Sequence, residues 1–287
     1  MSTDTPTRTA TGRVWLITGA SSGLGRAITE AALAAGDTVV ATARQPKALH
    51  DLTEAHPGRA VAVQLDVTDP VRVAAVVAET VLWYGRIDVL VNNAGFGLVG
   101  AVEETSEQDL RELMELHFFG PAALTRAVLP HQRRQGSGVI IQMSSIGGRL
   151  SFAGVGAYSA TKFALEGLSE ALAAEVAPFG IKVLIVEPGS FRTGFHARGT
   201  LRQSVPVPGY EQTVGPLRTA LPDSDGRQPG DPAKAAAAIL AALAAERTPL
   251  RLPLGNDAAD GVFAHLDAAR AEALAWEPTS RATDVDG

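Results

Sequence analysis

The chain has 287 residues, a formal net charge of -6 and no cysteine, which excludes disulfides, thiolate catalysis and cysteine-based metal sites together. The acidic balance argues against a general nucleic-acid binder, which carries a basic face, and no apolar run reaches the ~18 residues of a membrane span. Hydrophobic residues at 46% and charged residues at 20% are ordinary for a globular protein; the polar start at 1–11 lacks the apolar core of a signal peptide, so a soluble cytoplasmic protein is expected.

In chain order, a short apolar run at 14–18 predicts a buried strand. The segment Gly19-Ala20-Ser21-Ser22-Gly23-Leu24-Gly25 then opens a helix at 26–35, closed by Gly36. Strands at 39–42 and 60–65 flank a short helix at 46–56. Asp69-Pro70 starts the next helix, with a carboxylate to cap it and a proline at the first helical position, where no N–H is needed. Val73, Val76, Val77 and Val81 share one side of that helix. A fourth strand at 87–91 ends on Asn92-Asn93-Ala94-Gly95. Helical pattern at 107–135, a strand at 139–143, a helix at 158–177 and a strand at 182–186 follow. Regular alternation with strands apolar throughout predicts an α/β fold, a parallel sheet covered on both faces.

Between 188 and 230 the rhythm breaks. This stretch is rich in proline and glycine, with Phe191, Phe195, Leu201, Tyr210 and Leu217 scattered through it, and reads as a lid over a site. Asp231-Pro232 caps a helix to about 245, and 250–254 is the expected seventh strand. A last helix at 256–275 and a frayed polar tail at 277–287 complete the chain. The expected organisation is one domain over 1–287, with its core at 12–254.

The glycine segment stands where a dinucleotide site needs it, directly after the first strand and at a helix start. Glycines let the backbone approach a pyrophosphate, whose charge the helix N-terminal amides and dipole stabilise. At the end of the second strand, where a carboxylate would accept from the ribose hydroxyl of NAD, the chain has Ala43-Arg44. A guanidinium can pair with a 2′-phosphate, so NADP(H) is the expected cofactor, with NAD(H) the alternative. Tyr158 and Lys162, four residues apart, share one face of a helix. A phenol with a pKa near ~10 is a poor acid or base at neutral pH, and an adjacent ammonium is expected to lower that value.

Taken together, Thr18-Gly19-x3-Gly23-x-Gly25, Asn92-Asn93-Ala94-Gly95, Ser145, Tyr158-x3-Lys162 and Pro188-Gly189 resemble the short-chain dehydrogenase/reductase family, in the right order over about 12–195. The resemblance implies one Rossmann-type domain with strand order 3-2-1-4-5-6-7. It implies a cofactor loop of Gly19, Ser21, Ser22, Gly23, Leu24 and Gly25. It places Asp66 at the adenine amino group with Val67 beside it. Asn92, Ala94 and Gly95 would line the cofactor, and Pro188, Gly189 and Thr193 would stand near the nicotinamide. Ser145, thirteen residues before Tyr158, would donate to the substrate carbonyl oxygen, where charge develops. Tyr158 would carry the proton, and Lys162 would tune it and bind the nicotinamide ribose.

One position departs from the family. Where an asparagine is usual, the chain has His117 in Leu116-His117-Phe118-Phe119-Gly120-Pro121. In the family that residue holds a water linking the lysine to solvent. Pro121 has no N–H for the His117 carbonyl, so a kinked helix is expected there, with the carbonyl free for the water and the imidazole replacing or adding to the amide. His50, His56, His131, His196 and His265 show no metal-ligand spacing, so no metal is expected. Small and apolar Ala160, Ala164, Leu168 and Leu172 on the Tyr158 helix, with the resemblance, imply a homodimer or homotetramer.

The expected activity is interconversion of a ketone or aldehyde with an alcohol, on a small-molecule substrate apolar enough to suit Phe96, Phe152, Phe191, Phe195 and Tyr210. The alternatives are a 3-oxoacyl-thioester reductase and a non-catalytic, cofactor-bound regulatory or scaffold protein.

Overall fold

Strand runs that are apolar at every position can only be buried on both faces, and that requirement sets the architecture. The computed structural model describes residues 8–197 and 199–285, so the expected polar ends at 1–7 and 286–287 lie outside the described residues. The strands are β1 (Val14–Ile17), β2 (Thr38–Ala43), β3 (Ala60–Gln64), β4 (Val89–Asn92), β5 (Gly97–Val99), β6 (Gly138–Met143), β7 (Ile181–Pro188), β8 (Leu201–Gln203) and β9 (Arg251–Leu254). Seven form one sheet in the order β3-β2-β1-β4-β6-β7-β9, every neighbouring pair parallel. Counted over sheet strands alone, this is the order the resemblance implies.

The helices are α1 (Gly23–Ala34), α2 (His50–Ala55), α3 (Pro70–Tyr84), α4 (Glu107–Met114), α5 (Gly120–Gln135), α6 (Gly156–Val176), α7 (Gly215–Asp223), α8 (Pro232–Ala244), α9 (Asn256–Ala275) and α10 (Glu277–Arg281). Successive strand residues point to opposite faces, and the core divides accordingly. Trp15 and Ile17 pack with Ile28 and Leu33 of α1 and Ile239 of α8. Val14 and Leu16 pack with Val76 and Val77 of α3 and Leu124 of α5. Both predicted caps form. Asp69 Oδ1 accepts from the Val71 and Arg72 amides at 3.0 Å, and Asp231 Oδ1 accepts from the Ala233 amide at 2.8 Å.

The lid is better built than the sequence pattern suggests. Within 188–230, β8 pairs in parallel with β5, Gly97 opposite Leu201, and α7 follows. Buried Glu104 fastens these pieces, accepting from the Ala101 amide at 2.6 Å, the Val207 amide at 3.0 Å and Arg218. The expected frayed tail also carries one further helical turn, α10.

The active end of the sheet is tied by Thr18, 1% exposed. Its hydroxyl donates to the Val91 carbonyl at 3.2 Å and accepts from the Asn93 and Ala94 amides at 2.8 and 3.1 Å. Thr18→Val keeps the shape and strands two part-buried N–H groups. We expect a loss of roughly 1–3 kcal/mol in denaturant unfolding; an unchanged midpoint would contradict this role.

Candidate active site

The carboxyl ends of the parallel strands open onto one cleft of about 1160 Å³. Ligands bind at this edge of open α/β sheets because the loops there are free to surround them. Of the predicted residues, Gly19, Ser21, Ser22, Gly23, Leu24, Arg44, Asp66, Val67, Ala94, Gly95, His117, Ser145, Tyr158, Lys162, Pro188, Gly189 and Thr193 all line it.

Two predicted cofactor residues do not. Asn92 is turned into the interior, where its Nδ2 donates to Gln142 Oε1 at 3.0 Å and to Thr125 Oγ1 at 3.3 Å. It is the next residue, Asn93, that faces the cleft, with its Nδ2 donating to the Thr18 carbonyl at 2.9 Å and the Gly19 carbonyl at 3.2 Å. Gly25 is also set back, because a Cβ there would collide with Asn93 Nδ2 and the Gly19 carbonyl. Its part is to let α1 start close against the β4 loop. Tyr210, expected in the cleft, braces the lid outside it, donating to Glu103 at 2.7 Å.

The glycine loop suits an anion. Gly19 and Gly23 have φ of 63° and 57°, values that side chains disfavour, and turn the chain sharply into α1. Ser22 at the N-cap makes no side-chain capping bond, so α1's leading amides are not taken by its hydroxyl. Arg44 lies at the far end of the cleft and, among the described residues, makes no ion pair. Asp66 closes a tight turn by accepting from the Thr68 amide and hydroxyl through Oδ1, at 3.0 and 2.8 Å. The glycine loop, with Arg44 and Asp66 lining the same cleft, therefore fits a nicotinamide dinucleotide.

At the other end stand Ser145, Tyr158 and Lys162. Ser145 follows β6 and accepts from the Gly147 amide at 3.0 Å, which fixes its Oγ. Lys162 is 6% exposed, and its Nζ donates to the Met143 carbonyl at 2.8 Å and lies 5.6 Å from the Tyr158 ring centre. Burial draws the Lys162 ammonium down to about 8, with Glu166 acting to raise it. The expected lowering of the phenol is not what this geometry gives. Burial pushes Tyr158 up to about 12, opposed only by its hydrogen bond with Ser145. Tyr158 thus keeps its proton at neutral pH.

His117 is resolved by its partners. The expected helix break is a π-helical turn, Glu115–Phe119, in which the Gly120 amide reaches five residues back to Glu115. The buried imidazole accepts from the Phe96 amide through Nε2 at 3.2 Å, so the proton is on Nδ1. Nδ1 then donates to Thr161 Oγ1 at 3.1 Å, and Thr161 donates to the Tyr158 carbonyl at 2.7 Å. Both ring nitrogens are thus engaged within the chain. The imidazole is a brace between the β4–β5 loop and the tyrosine helix, its ring edge-on to Tyr158 at 5.4 Å. The brace is so close that a Cβ on Gly95 would lie 2.8 Å from Nε2. Nothing in the sequence pattern singled out Thr161 or Asn93.

Residues 13–203 match the family profile described as short chain dehydrogenase. A solved short-chain dehydrogenase from Streptomyces avermitilis is 61% identical, with a TM-score of 0.91, covering 96% of this chain and 100% of that one. The oxidoreductase BOA17 of Botryotinia fuckeliana is 42% identical over 249 residues, 86% of this chain and 90% of the relative. A 3-ketodihydrosphingosine reductase of Bacteroides thetaiotaomicron is 37% identical over 246 residues, 85% of this chain and 88% of the relative. The chain belongs to the short-chain dehydrogenase family. It is an NAD(P)-dependent oxidoreductase, which removes the scaffold alternative. Among the described residues no helix is long and apolar enough to cross a membrane.

Burial, then the Lys162 charge, hold His117 well below its usual range, so it stays neutral when folded. Unfolded, it would bind a proton below its ordinary value of 6.5. Its contribution is therefore complete above that pH and is lost progressively as the pH falls from there toward the lowered value of the folded state. His117→Asn should flatten the decline of unfolding free energy below that value; an identical slope in both proteins would contradict a buried neutral imidazole.

Proposed function

We propose that the protein is an NADP(H)-preferring reductase and dehydrogenase that interconverts a ketone or aldehyde with an alcohol on a fairly apolar substrate. The observation that carries this reading is the meeting of Ser145, Tyr158 and Lys162, the lysine Nζ 5.6 Å from the phenol ring centre, in a cleft lined by Phe96, Phe152 and Phe195. A nicotinamide cofactor held along the glycine loop supplies the hydride chemistry. The chain's own residues do the rest. Ser145 donates toward the carbonyl oxygen of the substrate, where negative charge develops as the carbon is reduced. Tyr158 gives that oxygen its proton, and in the reverse direction removes it. Lys162, a buried cation beside the phenol, favours the phenolate left behind.

Three features support the details. Arg44 offers a guanidinium at the end of β2, where a carboxylate would disfavour a 2′-phosphate, and this favours NADP(H). The aromatic walls favour a bulky apolar substrate, and the relative named as a 3-ketodihydrosphingosine reductase agrees with a ketone on an apolar chain. Thr193 lies against the glycine loop, with a Cβ on Gly23 only 3.1 Å from its own Cβ, which suits a place beside the nicotinamide. A cytoplasmic homo-oligomer using the outer side of α6 belongs to the same reading: Ala160 is exposed there and Ala164 and Leu168 are half-buried.

The test is absorbance of NADPH and NADH with a panel of apolar ketones and aldehydes. Tyr158→Phe should lower turnover by roughly 10²–10⁴-fold without loss of cofactor binding; equal rates would remove the proton-donor role. Arg44→Gln should weaken NADPH binding by ~10-fold or more while sparing NADH. A parent enzyme that prefers NADH would overturn the cofactor assignment.

A further inference from the structure

The loop that follows β7 has one face in the cleft and the other against the start of α9. Pro188, Gly189, Ser190 and Thr193 line the cleft. Pro188 still pairs with Leu254 of β9, and the Gly189 amide donates to the Leu254 carbonyl at 2.9 Å. Beyond that point the backbone leaves the sheet. The Ser190 amide donates instead to Asp257 Oδ2 at 2.7 Å, across 67 residues of chain. Asp257 stands in the first turn of α9 and does not itself line the cleft.

The fit around this carboxylate is close. A Cβ built on Gly189 would collide with Asp257 Oδ1 and lie 2.5 Å from its Cγ and Oδ2; one built on Gly255 would lie 2.7 Å from Oδ1. Glycine at 189 thus lets the carboxylate sit directly on the loop backbone. One turn further along, α9 meets the other active-site loop. A Cβ on Gly261 would lie 2.8 Å from Cδ1 of Ile146, the neighbour of Ser145. Ala258 and Val262 in these two turns are buried, whereas every residue of α9 from Phe263 onward is exposed. The part of α9 that packs on the body of the protein is therefore the part that meets the two loops.

We propose that Asp257 is a positioning residue for hydride transfer: its carboxylate holds Gly189 and Ser190 in place behind the nicotinamide end of the cofactor. The inference rests on the cofactor placement and the Tyr158 role proposed above. A carboxylate accepting from a backbone amide makes a charge-assisted hydrogen bond, stronger than one between neutral groups. The Ser190 carbonyl accepts from the Gly230 amide at 3.0 Å, so Ser190 is held at both of its backbone groups. Freeing the amide lets the loop shift. A shift of ~1 Å in groups that position a reactant can cost about 10²-fold in rate.

The experiment compares the full-length parent with Asp257→Ala, Asp257→Asn and Asp257→Glu. It measures kcat for carbonyl reduction, affinity for NADPH, and affinity for 2′-phospho-ADP-ribose, the half of the cofactor that lacks the nicotinamide. Asp257→Ala should lower kcat by ~10-fold or more and weaken NADPH binding, while the half-cofactor binds as it does to the parent. Asp257→Asn keeps an acceptor oxygen at the same reach and should retain most of kcat. Asp257→Glu keeps the charge in the first turn of α9, but its extra methylene has no room against Gly189 and Gly255, so it should share the loss. A carboxylate that merely stabilises the helix start gives the reverse order, because the dipole favours the charge wherever the side chain lies in that turn. Asp257→Asn no better than Asp257→Glu would therefore overturn the inference, and this comparison decides if Asp257→Ala does not fold. So would Asp257→Ala with parental kcat and NADPH affinity, or with both ligands weakened alike. Tyr158→Phe in the same assay separates the two levels. Full activity there removes the proposed reaction itself, whereas an inactive Tyr158→Phe beside a fully active Asp257→Ala removes only the role of Asp257.

Discussion

A cation that water would solvate freely is held instead between β6 and α6, with one backbone carbonyl for company and a phenol alongside. Burying Lys162 is costly, and much around it compensates for that cost. The Met143 carbonyl takes one of its three N–H bonds. Glu166, four residues further along α6, acts to raise the pKa of the ammonium against that burial. Helix α6 bears Tyr158, Thr161 and Lys162 within little more than one turn, so its seating against the sheet sets phenol, brace and ammonium together. The same burial that lowers the lysine raises the tyrosine. One desolvated pocket thereby produces a phenol that keeps its proton until charge appears on a substrate oxygen beside it.

The cofactor end depends on a different economy of groups. Thr18 and Asn93 tie β1 to the β4 loop, and the glycine turn leaves helix amides facing the cleft. These are backbone devices. They leave a turn suited to an anion, and in the proposed reading the choice between NAD and NADP falls to side chains at the rim, where Arg44 stands. The substrate end is enclosed by two parallel three-residue strands and α7, fastened by Glu104 to three separate backbone and side-chain donors. Such a lid is a defined wall, and beside it the Phe195 ring stands in the cleft, edge-on to Tyr158 at 6.1 Å.

Much of this was legible in the sequence because local chemistry and global fold agree. Asp69 and Asp231 cap the helices they precede. The apolar strands take the order that their motifs imply, and Ser145, Tyr158 and Lys162 meet in one cleft. What was not legible depends on contacts distant in sequence. The pairing of Gly97 with Leu201 crosses more than a hundred residues and involves strands too short to show a period. Which of Asn92 and Asn93 turns outward depends on where β4 ends. The partners of His117 were hidden for a similar reason: a lone histidine shows a titratable group, while the Phe96 amide and Thr161 lie 21 and 44 residues away. The lysine's effect on the tyrosine was overestimated because spacing on a helix reports proximity and says nothing of burial.

The central claim is that this cleft reduces a carbonyl carbon with hydride from a bound nicotinamide while Tyr158 protonates the oxygen. It is tested most directly by turnover with NADPH deuterated at both C4 positions and mass analysis of the alcohol formed from an apolar ketone. The account predicts one deuterium on the former carbonyl carbon in each product molecule, with solvent hydrogen on the oxygen. Product carrying only solvent hydrogen at that carbon would contradict it.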